Sequence, residues 1–274
     1  MIKKENPQIC LSISSSPGKF GETVHNAGYE FHKINYIYKA IKVQNLRKTI
    51  SSLRELNIKG CSVSMPFKEI VIKHLDKLDP LVKKTGAVNT ILNEKNKLIG
   101  FNTDVNGASK ALKFLNIKSN NTVLILGAGG VSRAIIIALR NMGVRKITVT
   151  NRSVKKLKKL VKLFKCDSLN WENRNQYKSD ILINATSIGM NNNLGSPVHI
   201  KSISNFKKVM DVVVRNQDTA VIKQAKKLNI PNVSGVIMTF HQAAEQYQIY
   251  TGLKAPIKHM VASYNKKWGL KINI

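Results

Sequence analysis

The sequence has few cysteines, no histidine metal motif and no long apolar run. Cys10, Cys61 and Cys166 are scattered without C-x-x-C spacing, which favours reduced thiols over a disulfide framework or a zinc site. The six histidines form no H-E-x-x-H pattern, so we predict no metal site. No apolar run approaches membrane-spanning length, and residues 1–7 lack the apolar stretch of a signal peptide. We therefore expect a cytoplasmic protein without a membrane partner.

Acidic residues are scarce as well, and their scarcity leaves the chain strongly basic. Asp and Glu number 15 against 45 Lys and Arg, a formal net charge of +30. Such a surface attracts nucleic acid without reading its sequence. The lysines are nevertheless dispersed without interleaved aromatic residues, and the densest run, residues 154–165, has its apolar positions at helical spacing. We interpret the charge as a bias toward Lys, Asn and Ile codons and predict no specific nucleic-acid partner; weak nucleic-acid binding, acidic partners and membrane surfaces are the alternatives.

The chain is long and apolar enough to fold into one or two domains, since 43% of its 274 residues are hydrophobic. Over the first hundred residues, β-type runs alternate with helical spacing, which is typical of a mainly parallel sheet. Pro66 is expected in the first turn of a helix that ends near Leu78. The other elements predicted here are strands at 9–14, 36–40 and 59–65, a helix at 45–56, and a hairpin of 87–92 with 97–101.

The second part of the chain opens with the most informative segment of the sequence. The apolar run 122–126 breaks into the glycine-rich turn 127–130 and restarts as an apolar helix. Gly127 and Gly129 would let the backbone approach a pyrophosphate at the positive end of that helix. Ser132 stands where the third glycine of G-x-G-x-x-G is expected, and its small side chain still permits close packing. Further elements are predicted as strands at 146–150, 181–185, 209–214 and 232–234, helices at 105–115, 238–250 and 254–268, and a polar loop at 191–197.

The strand 146–150 ends in Asn151-Arg152-Ser153, and this ending bears on the choice of cofactor. An NAD site would usually carry an acidic residue there for the ribose hydroxyls. Arg152, with Lys155 and Lys156 close behind, instead suits the 2′-phosphate of NADP, which a guanidinium binds through paired hydrogen bonds. We predict NADP as the cofactor; the alternative is a solvated start of a basic helix.

Several segments outside the glycine turn together resemble the shikimate dehydrogenase family in content, order and spacing over nearly the whole chain. They are S-V-S-M-P-F-K-E at 62–69, G-A-V-N-T at 86–90, N-T-D at 102–104, N-A-T-S-I-G-M at 184–190 and Q-A-A-E at 242–245. The resemblance implies an α/β protein with an N-terminal substrate domain and a Rossmann-type NADP domain separated by a cleft. The substrate domain would comprise residues 1–103, completed by helices within 238–274, and the NADP domain 104–237. The implied reaction is the reversible, NADP-dependent reduction of 3-dehydroshikimate to shikimate in aromatic amino-acid biosynthesis, by a monomer or homodimer.

The resemblance also implies roles for individual residues. Lys68 would be the catalytic lysine and Asp104 its carboxylate partner, because an ammonium group stabilises and protonates the oxygen of a ketone that receives a hydride. Lys68 would sit in the first helical turn after Pro66, where the helix dipole disfavours a cation. The alternatives are a surface lysine and, for Asp104, a helix cap. Substrate contacts are expected from Ser64, Asn89 and Gln242. The expected cofactor-binding residues are Gly127, Ala128, Gly129, Gly130, Val131, Asn151, Arg152, Ser153, Thr186, Val212 and Gly235.

Two departures point to the divergent shikimate-dehydrogenase-like branch of the family. The two serines expected to hold the substrate carboxylate correspond either to Ser14 and Ser16 or, counted back from His25, to Lys19 and Gly21. Lys19 could itself hold the carboxylate, and 14–16 could equally be an ordinary strand-end turn. Val214 replaces a tyrosine that commonly contacts the substrate. Two alternatives therefore stay open: a dehydrogenase of quinate or another ring hydroxy acid, and a basic, nucleic-acid-associated protein on a retired dehydrogenase scaffold.

Overall fold

The computed structural model describes residues 6–190 and 195–274. The chain divides into two compact units, one comprising Met1–Thr103 with Gln242–Ile274 and the other Asp104–His241. Of the polar loop predicted at 191–197, residues 191–194 lie outside the described residues, as do residues 1–5 of the amino-terminal segment. Within the described ranges, no helix combines the length and the apolar character needed to cross a membrane.

The described elements alternate between strands and helices along most of the chain. The strands are β1 (Gln8–Ser14), β2 (Tyr36–Lys42), β3 (Gly60–Val63), β4 (Lys77–Leu78), β5 (Thr90–Glu94), β6 (Lys97–Phe101), β7 (Val123–Leu126), β8 (Ile147–Thr150), β9 (Asp167–Leu169), β10 (Ser179–Asn184), β11 (Phe206–Asp211) and β12 (Asn232–Ser234). The helices are α1 (Phe20–Phe31), α2 (Leu46–Glu55), α3 (Pro80–Thr85), α4 (Asp104–Lys113), α5 (Gly130–Asn141), α6 (Val154–Phe164), α7 (Ala220–Lys227), α8 (Gly235–Thr251) and α9 (Ile257–Trp268).

The first unit contains a mixed sheet with the strand order β2-β1-β3-β5-β6-β4. Strand β1 pairs in parallel with both β2 and β3, while β5 runs antiparallel to β3 and β6. The predicted hairpin is confirmed as β5–β6, but its first strand lies at Thr90–Glu94 instead of 87–92. Lys95 and Asn96, with φ of 51° and 64°, close the turn. Helix α2 also matches its prediction, because Leu46, Ile50 and Leu53 form its buried side.

The helix predicted to begin at Pro66 is wrong. Residues 65–69 form turns, and only Ile70–His74 is helical, as a 3-10 helix. The carbonyl oxygen of Lys68 accepts a hydrogen bond from the N–H of Val88 (2.7 Å), so it serves a distant segment instead of a helical ladder. The helix-dipole argument for Lys68 therefore does not apply, since no α-helix begins there.

The second unit contains a parallel sheet with the order β12-β11-β10-β7-β8-β9. Counted within this unit the order is 6-5-4-1-2-3, which is that of the doubly wound dinucleotide-binding fold. Every residue of β7 and β8 is buried, as expected for parallel strands covered on both faces. Helix α6 confirms the helical spacing predicted for the densest lysine run, because Leu157 and Leu160 are buried while the lysines around them are exposed.

Candidate functional site

The turn after β7 has the conformation that its glycines allow. Gly127 has φ of +109°, and a Cβ there would lie 2.8 Å from the carbonyl oxygen of Ala185. Its N–H donates to the carbonyl oxygen of Thr150 (2.8 Å), which fixes the turn between two neighbouring strand ends. Both the backbone angle and the close approach therefore require glycine at 127.

Gly129 has a different reason to be glycine. It precedes the first turn of α5 as its N-cap, with no side chain to cap that turn, and a Cβ at 129 would meet no protein atom within 4 Å. The open space lies beside the N–H groups at the positive end of α5, where an anion is stabilised. This arrangement fits a phosphate group of a dinucleotide.

Ser132 explains how the turn tolerates the missing third glycine. Its side chain is fully buried, and its Oγ donates to the carbonyl oxygen of Gly127 (2.9 Å). The hydroxyl therefore satisfies a carbonyl group of the turn and is small enough to pack between α5 and the sheet.

A cleft of about 260 Å³ opens beside this turn at the carboxyl ends of the strands. Seven of the residues predicted to bind the cofactor line it, together with five others. Gly130, Val131, Val212 and Gly235 were predicted too, but they are not among its lining residues. The lining residues are Gly127, Ala128, Gly129, Asn151, Arg152, Ser153, Lys156, Trp171, Ala185, Thr186, Ser187 and Ile188.

The basic side of the cleft is built on the start of α6. The Ser153 side chain accepts from the N–H of Lys156 (3.5 Å), and Asn151 Nδ2 donates to the Ser153 carbonyl (2.9 Å). Arg152 and Lys156 both line the cleft, whereas the exposed Lys155 does not. Since no Asp or Glu is among the described lining residues, the cleft suits a phosphate and offers no carboxylate for ribose hydroxyls.

The part of the cleft lined by residues 185–188 is held by a buried polar network. Asn184 Oδ1 accepts from the N–H (3.0 Å) and Oγ1 (2.7 Å) of Thr186, and its Nδ2 donates to Asp211 Oδ1 (3.0 Å). Asp211 Oδ2 accepts from Thr219 Oγ1 (2.6 Å). Burial raises the pKa of Asp211 to about 6, against the opposing effect of these hydrogen bonds. The network fixes the backbone of 184–188 relative to the end of β11.

Val212 and Gly235 meet at the carboxyl ends of β11 and β12. The Val212 N–H donates to the carbonyl oxygen of Asn184 (2.9 Å). A Cβ at 235 would collide with the carbonyl oxygen of Val212, so glycine there permits the close contact between these strand ends. Neither residue lines the cleft, so their cofactor contacts stay predictions.

In the first unit, three of the predicted substrate serines lie together at the carboxyl ends of β1 and β3. Ser64 N–H donates to the carbonyl oxygen of Ile13 (2.9 Å), and Ser16 N–H donates to Ser14 Oγ (3.1 Å). Ser14 is buried, while Ser16 and Ser64 are exposed. The bond from Ser16 to Ser14 is that of a strand-end turn, so this alternative describes the local geometry and leaves a ligand role open.

The alternative positions, Lys19 and Gly21, lie at the start of α1. Lys19 is the exposed N-cap residue. Gly21 faces the core, because a Cβ there would lie 2.9 Å from Cε1 of the Tyr38 ring. A glycine is thus needed at 21 for packing.

Asn89 and Gln242, both predicted to contact substrate, are hydrogen-bonded to each other. Asn89 Nδ2 donates to Gln242 Oε1 (3.2 Å) and to Thr103 Oγ1 (2.9 Å). Asn89 Oδ1 accepts from Thr90 Oγ1 (2.8 Å) and from the Thr103 N–H (2.8 Å). The Asn89 amide thus uses both donors and both acceptor positions within the protein and holds Gln242 in place.

Gln246, one turn along α8 from Gln242, was missed by the sequence analysis. Its Nε2 lies within hydrogen-bond distance of Ser62 Oγ (3.2 Å), the Asn89 carbonyl (3.2 Å) and Thr90 Oγ1 (2.9 Å). It fastens α8 to the strand ends that carry the predicted substrate residues. The i, i+4 spacing of the two glutamines was the signal that could have identified it.

The two predicted catalytic residues, Lys68 and Asp104, lie in different local structures: Lys68 within a run of turns and Asp104 at the start of a helix. Lys68 is partly buried in the turns that precede the 3-10 helix of the first unit. Asp104 is buried and is the first residue of α4 and of the second unit. No group of three or more His, Cys, Asp or Glu side chains within 6–190 and 195–274 is placed to hold a metal ion.

Family models and individual relatives match nearly the whole chain. Residues 11–91 match the shikimate dehydrogenase substrate binding domain, 108–228 match shikimate / quinate 5-dehydrogenase, and 235–263 match the shikimate 5′-dehydrogenase C-terminal domain. A shikimate dehydrogenase-like protein of Haemophilus influenzae is 35% identical over 256 residues, covering 92% of this chain and 93% of that protein.

Two further matches are a shikimate dehydrogenase sequence and a shikimate dehydrogenase structure. Shikimate dehydrogenase (NADP(+)) of Pyrococcus abyssi is 37% identical, covering 91% of this chain and 92% of its own. The structure of shikimate 5-dehydrogenase from Thermus thermophilus in complex with NADP(H) and shikimate superposes with a TM-score of 0.83 at 27% identity, covering 95% and 99% of the two chains. The predicted resemblance, including that to the shikimate-dehydrogenase-like branch, is confirmed, and the chain belongs to the shikimate dehydrogenase family.

Proposed function

We propose that this chain catalyses the reversible, NADP-dependent reduction of 3-dehydroshikimate to shikimate. The observation that carries the proposal is the cleft beside Gly127, where an uncapped helix start and two basic side chains meet without a carboxylate among the described lining residues. The family of this chain includes relatives named shikimate dehydrogenase (NADP(+)), which supports the same cofactor and substrate. The chain is an NADP-dependent oxidoreductase of this family.

The cofactor-side roles follow from charge and hydrogen bonding. The N–H groups at the start of α5 suit the pyrophosphate, and Arg152 and Lys156 suit the 2′-phosphate. Thr186, held by Asn184, borders the same cleft. When bound, NADPH supplies the hydride that reduces the carbonyl carbon of the substrate.

The acid–base roles rest on the family motif and on general carbonyl chemistry. In our proposal the Lys68 ammonium stabilises the developing negative charge on the carbonyl oxygen and delivers the proton to it. Asp104 acts as its carboxylate partner in the proton transfer. In the oxidative direction, Lys68 takes the proton from the hydroxyl group.

The substrate-side roles use residues at the ends of β1, β3 and β5. Ser14 and Ser16 are favoured over Gly21 as carboxylate ligands, because position 21 faces Tyr38 and the serines lie beside Ser64. Lys19 remains a second candidate for the carboxylate. Gln242, held by Asn89, is proposed to contact the ring hydroxyls.

The direct test is a reductase assay of the purified full-length chain. We expect oxidation of NADPH with 3-dehydroshikimate, a much lower rate with NADH, and the reverse reaction with shikimate and NADP⁺. Quinate and other ring hydroxy acids are run in parallel, because Val214 stands where a tyrosine commonly contacts the substrate and Lys19 is a second candidate ligand for its carboxylate. Faster turnover of quinate would reassign the substrate, and no turnover of any ring acid would favour the retired-scaffold alternative.

A further inference from the structure

Trp171 lines the cleft beside Gly127, and no predicted role accounts for it. Strands β8 and β9 are neighbours in the sheet, with Thr150 paired to Leu169. Arg152 and Trp171 each follow their paired residue by two positions, so the aromatic ring and the guanidinium leave adjacent strand ends. Ligands of doubly wound folds bind outside such ends.

The indole ring rests on a fixed support. The guanidinium carbon of Arg174 lies 4.0 Å from the ring centroid, so one face of the ring is covered. Arg174 Nη1 donates to the Trp171 carbonyl (2.7 Å), and its Nε donates to the Pro197 carbonyl (2.6 Å). The adjacent Asn175 accepts from the His199 N–H (2.8 Å), which ties the same turn to the segment after 195. Trp171 lines the cleft, so we expect a ligand there to meet the ring face that Arg174 does not cover.

We propose that Trp171 is the stacking platform for the adenine base of the dinucleotide, an inference that rests on the proposed function. The 2′-phosphate and the base are attached to one ribose, so a cleft that binds the phosphate through Arg152 and Lys156 must also accommodate the base nearby. Trp171 is the aromatic residue among the described lining residues. Its flat face suits a purine and requires no hydrogen-bond match.

This assignment separates two contributions to cofactor binding. Arg152 contacts a group found only in NADPH, and so governs the discrimination between the two nicotinamide cofactors. Trp171 contacts the adenosine that NADPH and NADH share, and so strengthens the binding of both cofactors equally. Replacing Trp171 therefore weakens both cofactors without changing their ratio.

The test uses adenosine 2′,5′-bisphosphate as the probe and the full-length chain carrying Trp268→Phe. The sequence has two tryptophans, so Trp171 is the remaining one in this background. Trp268 lies on α9 in the first unit and does not line the cleft. We expect the probe to quench Trp171 fluorescence, and we expect Trp171→Ala to raise its Kd about tenfold by calorimetry. Trp171→Phe keeps an aromatic face and should raise the Kd by less than about threefold.

The possible results distinguish this inference from the proposed function. If the parent binds the probe but its fluorescence is unchanged, or if Trp171→Ala binds within twofold of the parent, Trp171 is not the platform and the NADP assignment stands. If the parent binds neither the probe nor NADPH, the proposed function fails and this inference fails with it. Trp171→Phe, which keeps an aromatic ring against Arg174, guards against a folding defect in the alanine variant.

Discussion

Lys68 is the single residue on which the proposed reaction depends most directly. Lys68→Ala should lower turnover by roughly a hundredfold or more, because the carbonyl oxygen loses its proton donor. NADPH affinity should be nearly unchanged, since Lys68 is not among the residues that line the cleft beside Gly127. Steady-state kinetics and calorimetric titration with NADPH measure the two effects. The exposed Lys73 supplies the control, and Lys73→Ala should behave like the parent. Near-normal turnover of Lys68→Ala would remove this lysine from the acid–base role.

Arg152 is expected to decide between the two nicotinamide cofactors. Arg152→Ala should weaken NADPH binding by about 1.5–3 kcal/mol, the value of a hydrogen bond to a charged group, and affect NADH much less. Lys155→Ala is the matched control, because Lys155 is exposed beside Arg152 without lining the cleft. Dissociation constants for both cofactors provide the measurement. Equal losses for NADPH and NADH would contradict the assignment to the 2′-phosphate.

At the level of elements, the β7–α5 turn allows its structural and binding roles to be separated. Gly127→Ala should destabilise the fold by about 1–3 kcal/mol, because φ of +109° is strained for alanine and its Cβ would crowd the Ala185 carbonyl. Gly129→Ala should leave stability nearly unchanged, since its Cβ meets no protein atom, yet weaken NADPH binding by intruding on the phosphate. Thermal unfolding and cofactor titration distinguish the variants. A Gly129→Ala variant that binds NADPH normally would exclude the phosphate from this position.

The elements that the sequence predicted best are those specified locally. The run Val123–Leu126 is apolar throughout and ends at a glycine, so strand, turn and helix could all be predicted from adjacent residues. Helix α7 was not predicted, although its sequence carries a local signal: Thr219 caps the helix and apolar residues follow at helical spacing. The segment after Pro66 failed because its backbone bonds to Val88, which local spacing cannot reveal.

The same distinction between local and long-range signals separates the site residues that could be predicted from those that could not. The glycines and Arg152 could be predicted because they belong to contiguous motifs with a physical meaning. Gln246 and Trp171 could not, since their importance arises from partners far away in sequence, such as Asn89 for the glutamine and Pro197 for the support of the indole. The roles of Lys68 and Asp104 stay predictions.

At the scale of the whole molecule, a buried histidine should make stability depend on pH. His25 is fully buried among tyrosines and stacks on Tyr38 with ring centroids 4.3 Å apart. Burial lowers the pKa of His25 from 6.5 to about 3. Between pH 6.5 and about pH 3, the unfolded chain therefore binds a proton at His25 that the folded chain does not bind. Stability is therefore lost as pH falls through this window.

The expected size of the effect can be measured by comparison with His25→Phe, which retains an aromatic ring. Between pH 7 and 4.5 the parent should lose about 2.5 kcal/mol more of its free energy of unfolding than the variant, at about 1.4 kcal/mol per pKa unit. Urea unfolding at the two pH values tests this. Identical pH dependence in parent and variant would show that His25 does not contribute.

The charge of +30 calls for a second prediction at this scale. Because the lysines are dispersed, nucleic acid should bind weakly, without sequence preference, and the binding should fade steeply toward physiological salt. Replacing the exposed Lys158, Lys159 and Lys162 of α6 by alanine should leave reductase activity intact. Binding assays across a salt series provide the measurement. A selective complex at physiological salt that these replacements abolish would establish a nucleic-acid function.

The division of the chain into Met1–Thr103 with Gln242–Ile274 and an uninterrupted Asp104–His241 also has a consequence for biosynthesis. Because the ribosome synthesises the chain from the amino terminus, all of residues 104–241 are translated before the segment Gln242–Ile274. The first unit, by contrast, lacks Gln242 and Gln246 for Asn89 until translation passes position 246. The two units thus become able to complete their native contacts in the reverse of the order in which their first residues are translated.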